Sequence, residues 1–133
     1  MRLPKWSQTI RKHATRRNVT TTCRGSTISL DQLQRYTNGP FLINEANALS
    51  QRRLKFNVDE LCSLASKIGS KSPVHEIEKM EGDFSKALLL KKIDGTELVA
   101  KLPFKIAGPP HYATASEVAV LQYVGQHTEV PVP

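Results

Sequence analysis

Glu81-Gly82-Asp83-Phe84-Ser85-Lys86-Ala87-Leu88-Leu89-Leu90-Lys91-Lys92-Ile93-Asp94-Gly95-Thr96-Glu97-Leu98-Val99-Ala100-Lys101-Leu102-Pro103 is the stretch that decides the fold. Asp94-Gly95 between apolar runs is a strong hairpin signal. Gly82-Asp83-Phe84-Ser85 interrupts the pattern upstream and reads as a second tight turn. Ala87-Leu88-Leu89-Leu90 fits a buried strand, and Pro103 ends the next one. The stretch and the residues before it predict three antiparallel strands, at about 75–81, 85–92 and 96–102.

Helices flank this meander on both sides. Upstream, Asn57 is a good N-cap with Glu60 three residues on, the spacing of a capping box. Phe56 and Leu61 sit where a hydrophobic staple needs them. Leu61, Leu64, Ala65 and Ile68 predict one apolar stripe, closed by Gly69 at C′. Cys62 reads as a small core or edge residue. Phe41–Leu54 predicts a bracing helix through Leu42, Ala46 and Leu49, with a basic end at Arg52 and Arg53. Downstream, Gly108-Pro109-Pro110 is a rigid loop. A helix follows from about Ala113 to Thr128, with Thr114 and Glu117 at capping-box spacing and Val118, Leu121 and Ala119/Tyr123 as apolar positions. Val130-Pro131-Val132-Pro133 is extended.

Charge divides the chain unevenly. The 133 residues carry a formal net charge of +7. Arg2, Lys5, Arg11, Lys12, Arg16, Arg17 and Arg24 fall in residues 1–30 with no acid among them. The other twelve Lys/Arg are matched by twelve Asp/Glu. An Arg-rich, Ser/Thr-rich, acid-free start reads as a mitochondrial transit peptide, with Leu3, Trp6, Ile10 and Ala14 on one helical face. Its expected partner is the mitochondrial import machinery, acting on residues 1–30. The alternative is a disordered basic tail that touches nucleic acid. The neutral remainder, without a basic patch interleaved with aromatics, argues against a nucleic-acid role. No apolar run approaches a membrane span. Cys23 and Cys62 have no second Cys or His at metal-ligand spacing, and the four histidines form no constellation.

The order of elements places candidate chemistry. A glycine turn between strands brings backbone N–H groups near phosphate oxygens. A lysine inside the third strand sets a cation on those phosphates, and a helix glutamate holds it in register. Here the turn is Gly82–Ser85, the strand lysine is Lys101 and the helix carboxylate is Glu117. Period two puts Val99 on the face of Lys101, where it can cover an adenine ring. Each residue alone has a plainer reading: Lys101 as a solvated edge charge, Glu117 as half of a capping box, Gly82 and Ser85 as ordinary turn residues. Their ordered combination carries the nucleotide reading.

Several stretches carry a resemblance to a known family. They are Tyr36-Thr37-Asn38-Gly39, Lys55-Phe56-Asn57-Val58-Asp59-Glu60-Leu61-Cys62, Ile77-Glu78-Lys79-Met80 running into Glu81–Lys86, Val99-Ala100-Lys101-Leu102-Pro103, Ala107-Gly108-Pro109-Pro110 and Thr114-Ala115-Ser116-Glu117-Val118. Through them the chain from about Tyr36 resembles the start of the fungal altered inheritance of mitochondria protein 9 family. That family is similar to aminoglycoside phosphotransferases and has a protein-kinase-like fold. The resemblance implies ATP with Mg²⁺ as cofactors, a small-molecule acceptor, and a nucleotide site of Gly82, Ser85, Val99, Lys101 and Glu117. Asp83 stands where the family has a second glycine. A carboxylate there faces phosphate oxygens and removes backbone freedom.

The expected architecture is α+β: a kinase-like small lobe, an antiparallel sheet with one crossing helix. Residues 1–35 are expected to be a disordered transit peptide and linker, 36–73 a helical extension, and 74–133 the lobe, with the large lobe absent. A kinase-type transfer needs one Asp for the acceptor hydroxyl and another for the metal. No His-x-Asp segment occurs in the sequence. The chain is therefore expected to be inactive alone and to bind nucleotide weakly at most. The rival expectation is a non-catalytic, pseudokinase-type interaction protein that uses the partly apolar face a large lobe would cover.

Overall fold

The computed structural model describes residues 18–133; Leu3, Trp6, Ile10, Ala14 and the first six basic residues, all assigned above to the expected transit peptide, lie outside them. The described chain is α+β. Strands β1 (Thr20–Cys23) and β2 (Ser26–Thr27) precede helices α1 (Leu30–Gln34), α2 (Glu45–Arg52) and α3 (Val58–Lys67). Strands β3 (Val74–Glu81), β4 (Ser85–Lys92) and β5 (Glu97–Pro103) follow, then a short 3₁₀ turn (Lys105–Ala107) and helix α4 (Pro110–His127).

The meander matches the sequence expectation closely. β3, β4 and β5 pair antiparallel in sequence order. The Asp94-Gly95 turn closes with Gly95 N–H donating to Lys92 O at 3.1 Å, and Gly95 takes the left-handed φ of +86° that such a loop requires. Asp94 Oδ1 accepts from Thr96 N–H at 3.0 Å. Hydrogen bonds from Ser70 and Thr96 hold the Asp94 carboxyl below its ordinary range.

The sheet is larger than three strands, and it is mixed. Its order is β2-β1-β3-β4-β5, with β1 parallel to β3. This corrects the expectation that residues 1–35 form a disordered leader and linker. From Thr20 onward they are part of the domain. Arg24 and Gly25, with φ of 50° and 80°, form a two-residue turn with two positive φ values between β1 and β2. Val19, Ile28 and the fully buried Leu33 all join the core. Ser29 caps α1 in a complete capping box with Gln32. Apolar burial and ladder hydrogen bonds therefore outweigh the basic, Thr-rich composition that suggested a tail.

The core lies between one face of the sheet and α1 and α3. Val74, Ile77, Leu88 and Leu90 point inward, with Leu98, Ala100 and Leu102 packed beside them. α3 starts as expected, with Asn57 Oδ1 accepting from Glu60 N–H at 3.1 Å. Its buried stripe is rotated from the expected one. Val58, Leu61, Cys62 and Ala65 face the core, whereas Leu64 and Ile68 are exposed. Both sets share helical spacing, and the sheet takes the one with smaller residues at its centre. α2 is shorter than the expected 41–54 helix, and Leu42 lies outside it, fully exposed.

Three lysines also point to the core face. Lys79 Nζ donates to Gln32 O at 2.7 Å, Arg35 O at 3.2 Å and Thr37 Oγ1 at 2.7 Å. Lys86 Nζ donates to Leu33 O at 2.6 Å and Arg35 O at 3.2 Å. Glu81, paired with Lys86 across the ladder, places Oε1 3.4 Å from Lys79 Nζ and 3.3 Å from Lys86 Nζ. Its Oε2 accepts from the Thr37 N–H and hydroxyl. Burial pushes the Lys86 pKa down, and Glu81 partly offsets that. Lys92 reaches Ile68 O and Ser70 O at the C-terminal end of α3.

Two outcomes follow. A chain lacking residues 1–17 should melt within a few degrees of the full chain by circular dichroism. One lacking residues 1–35 should lose its cooperative transition, and equal melting of the two would show that β1 and α1 are dispensable. Glu81→Ala leaves two buried ammonium groups without their carboxylate. It should lower unfolding free energy by about 3–5 kcal/mol in urea titrations, the range for a broken buried pair.

Candidate functional site

The second face of the sheet is open, and pleat alternation sets its rows. Met80, Ala87 and Lys101 stand in register as one row across β3, β4 and β5. Glu78, Leu89 and Val99 form the next, and Glu76, Lys91 and Glu97 the third. Val99 is 64% exposed, while Ala87 and Leu89 are half-buried. The third row is an ion-pair cluster, with Lys91 Nζ 3.2 Å from Glu76 and 3.1 Å from Glu78. Those two carboxylates raise the Lys91 pKa, and Lys91 in turn lowers that of Glu76.

α4 meets the sheet at the edge of this face. Lys101 Nζ donates to Glu117 Oε1 at 2.7 Å. The two expected partners are thus brought together across 16 residues, from strand to helix. Beneath the pair is an open cavity of about 210 Å³, lined by Lys101, Pro103, Ala113, Thr114, Glu117, Val118 and Leu121. Glu117 does not act in a capping box. α4 begins at Pro110, three residues before the expected start, with Pro109 as a cap that makes no side-chain hydrogen bond. Proline is well suited to the first helical turn because its missing N–H is not needed there. Thr114 and Glu117 are consequently interior positions of the helix, and the carboxylate is free to meet the strand.

The turn lies one row beyond Lys101, since Ser85 pairs with Pro103. Gly82 N–H donates to Ser85 O at 2.9 Å, so this amide is engaged inside the hairpin. A side chain at position 82 would meet Ser85 O at 3.7 Å, an ordinary contact. Gly82 itself has no positive φ. Asp83 needs no positive φ either. Phe84 O accepts from Phe104 N–H at 2.9 Å, which ties the turn to the end of β5.

A residue absent from the sequence-based site supports the turn from behind. Arg52, at the end of α2, is 7% exposed. Its Nε donates to Asp83 O at 3.1 Å and its Nη1 to Ala48 O at 3.1 Å. The guanidinium lies 4.6 Å from the Phe41 ring centroid and 5.5 Å from that of Tyr36. Tyr36 in turn meets the fully buried Phe104 edge-on at 5.7 Å. The basic helix end was visible in the sequence, but nothing there marked Arg52 over Arg53.

Among the described residues, no group of three His, Cys, Asp or Glu stands close enough to hold a metal ion. None of the described helices is long and apolar enough to cross a membrane. No family model matches the chain, and no solved structure matches it. Two curated proteins from two strains of Aspergillus fumigatus do match a part of it. Both are called subtelomeric hrmA-associated cluster protein and are 45% identical over 53 residues. The match covers 40% of this chain and 10% of each relative. The chain thus aligns with about a tenth of the length of these relatives.

The Lys101–Glu117 pair is about half exposed on both sides. Exposed pairs contribute roughly 0–1 kcal/mol to stability. Lys101→Met and Glu117→Gln should therefore each change unfolding free energy by less than about 1 kcal/mol. A larger loss in urea titrations would assign the pair to the scaffold rather than to a site.

Proposed function

We propose that this chain supplies the nucleotide-gripping small lobe of a kinase-like, aminoglycoside-phosphotransferase-like protein. The single observation that carries the reading is the 2.7 Å contact between Lys101 and Glu117. A solvated strand lysine gains little from a helix carboxylate. A phosphate-binding lysine gains a fixed direction, because one of its three N–H donors is engaged and two remain for oxygens of a ligand. Val99 stands two residues along the same face, about 7 Å away at strand rise. Ala87 and Leu89 extend that apolar surface, and Ser85 lies on the opposite side of Lys101. A purine on Val99 and Leu89 would thus direct its phosphates past Lys101 toward Ser85 and the turn.

The residues present grip a nucleotide and do not perform the transfer. Bound Mg²⁺ would neutralise phosphate charge, and among the described residues no group of three His, Cys, Asp or Glu stands together to hold it. An Asp in a His-x-Asp segment, which would orient the acceptor hydroxyl, is not among the 133. Mitochondrial location belongs to the same proposal and, with Thr20 onward in the sheet, rests on the acid-free basic residues 1–17. The non-catalytic interaction reading draws on a different observation, the exposed Tyr112, Val118, Val120 and Tyr123 of α4.

Titrating MgATP into the full chain, followed by backbone amide NMR, separates the two readings. The nucleotide reading expects shifts at Ser85–Leu89 and Val99–Lys101, with Lys101→Met weakening binding at least tenfold. Absence of saturable shifts at those positions, up to several millimolar nucleotide, would remove it and leave the interaction reading.

A further inference from the structure

We infer that Arg52 is a positioning residue that sets the shape of the Gly82–Ser85 turn and, through it, the grip on the nucleotide; the second half of this rests on the proposed function. The turn has few restraints of its own. It holds one internal hydrogen bond, Gly82 N–H to Ser85 O, and needs no glycine-specific backbone geometry. Asp83 and Phe84, its two central residues, face solvent. What fixes the tip from outside is a pair of backbone contacts. Phe104 N–H holds Phe84 O, and Arg52 Nε holds Asp83 O.

Arg52 suits this role because its own freedom is spent. The Tyr36 and Phe41 rings, whose centroids are 5.6 Å apart, both pack beside the guanidinium, and Nη1 is committed to Ala48 O in the preceding turn of α2. A planar fork with two carbonyl acceptors at a fixed spacing is a geometry that arginine offers and lysine does not. A buried charge held by two main-chain carbonyls and two aromatic rings is an expensive choice for a mere brace. Its positive charge, directed at the Asp83 carbonyl, also fixes the orientation of that peptide and occupies its oxygen. An anionic phosphate approaching the turn then meets one free carbonyl lone pair fewer.

The experiment uses the full chain and three forms: wild type, Arg52→Gln and Arg52→Lys. Gln keeps one donor for Ala48 O and removes both charge and fork. Amide hydrogen exchange at Gly82 and Phe104 reports the turn, while Leu88 and Leu90 report the sheet core. Arg52→Gln should speed exchange at Gly82 and Phe104 at least tenfold with less than a twofold change at Leu88 and Leu90. It should also weaken MgATP at least fivefold, and Arg52→Lys should restore less than half of either loss. Unchanged exchange at Gly82 and Phe104, or equal acceleration at all four amides, overturns the positioning role. Faster turn exchange in Arg52→Gln with unaltered MgATP affinity confines Arg52 to the turn and overturns its link to the nucleotide. Absence of MgATP binding by wild type removes the nucleotide reading itself, while the exchange data still decide whether Arg52 shapes the turn.

Discussion

Everything else in this domain depends on two buried ammonium groups meeting the end of one short helix. Taking a charged amine from water costs several kcal/mol even after relaxation. Lys79 and Lys86 recover that cost only if acceptors stand at fixed points around them. The acceptors are carbonyls of Gln32, Leu33 and Arg35, the Thr37 hydroxyl, and the Glu81 carboxylate between the two. An apolar contact in the same place would tolerate α1 sliding by an ångström. This polar one does not, because a displaced helix would take the Gln32, Leu33 and Arg35 carbonyls out of reach of both amines. The N-terminal segment is therefore docked with a specific register, not merely a specific face.

That docking makes the two faces of the sheet unequal. One face is closed by α1 and α3 over Ile77, Leu88 and Leu90. The other carries the ordered rows that end in Val99 and Lys101, with α4 at its margin and no α4 residue buried. The turn between β3 and β4 sits where the two regimes meet. Glu81 and Lys86 anchor its feet in the closed face, and Arg52 and Phe104 anchor its tip. A site built on such a turn inherits rigidity from a core it never touches.

Much of this was legible in the sequence, and the failures have physical causes. Asp94-Gly95, Asn57 with Glu60, and the Gly82 interruption are local signals, set by residues within a turn of one another. They gave strand and helix positions nearly to the residue. The mixed sheet was not legible because β1 finds its partner far along the chain, and Arg24-Gly25 is a weak turn signal beside Asn-Gly or Asp-Gly. Lysine is usually a solvated charge, so residue type alone does not mark Lys79, Lys86 and Lys92 as buried. The hint was their spacing: Lys86, Leu88, Leu90 and Lys92 alternate on a single face. Lys101 and Glu117 were named from the order of elements, yet Glu117 was tied to a cap that α4 does not use. Arg52 could not be picked out, since its acceptor is a main-chain carbonyl that leaves no trace in residue type.

The parallel pairing of β1 with β3 carries a consequence for how the chain is made. Thr20 must wait for Glu76, and everything between them has to be synthesised first. At a translation rate of about 5–20 residues per second, that delay is roughly 3–10 s. Closing so long a loop also costs more entropy than the local β3–β4–β5 meander, so the meander forms first and the N-terminal strand arrives last. During that interval Thr20–Thr22 has no β3 to pair with. The opening stretch of the protein thus has a built-in period in which another molecule can engage it before the sheet takes it up.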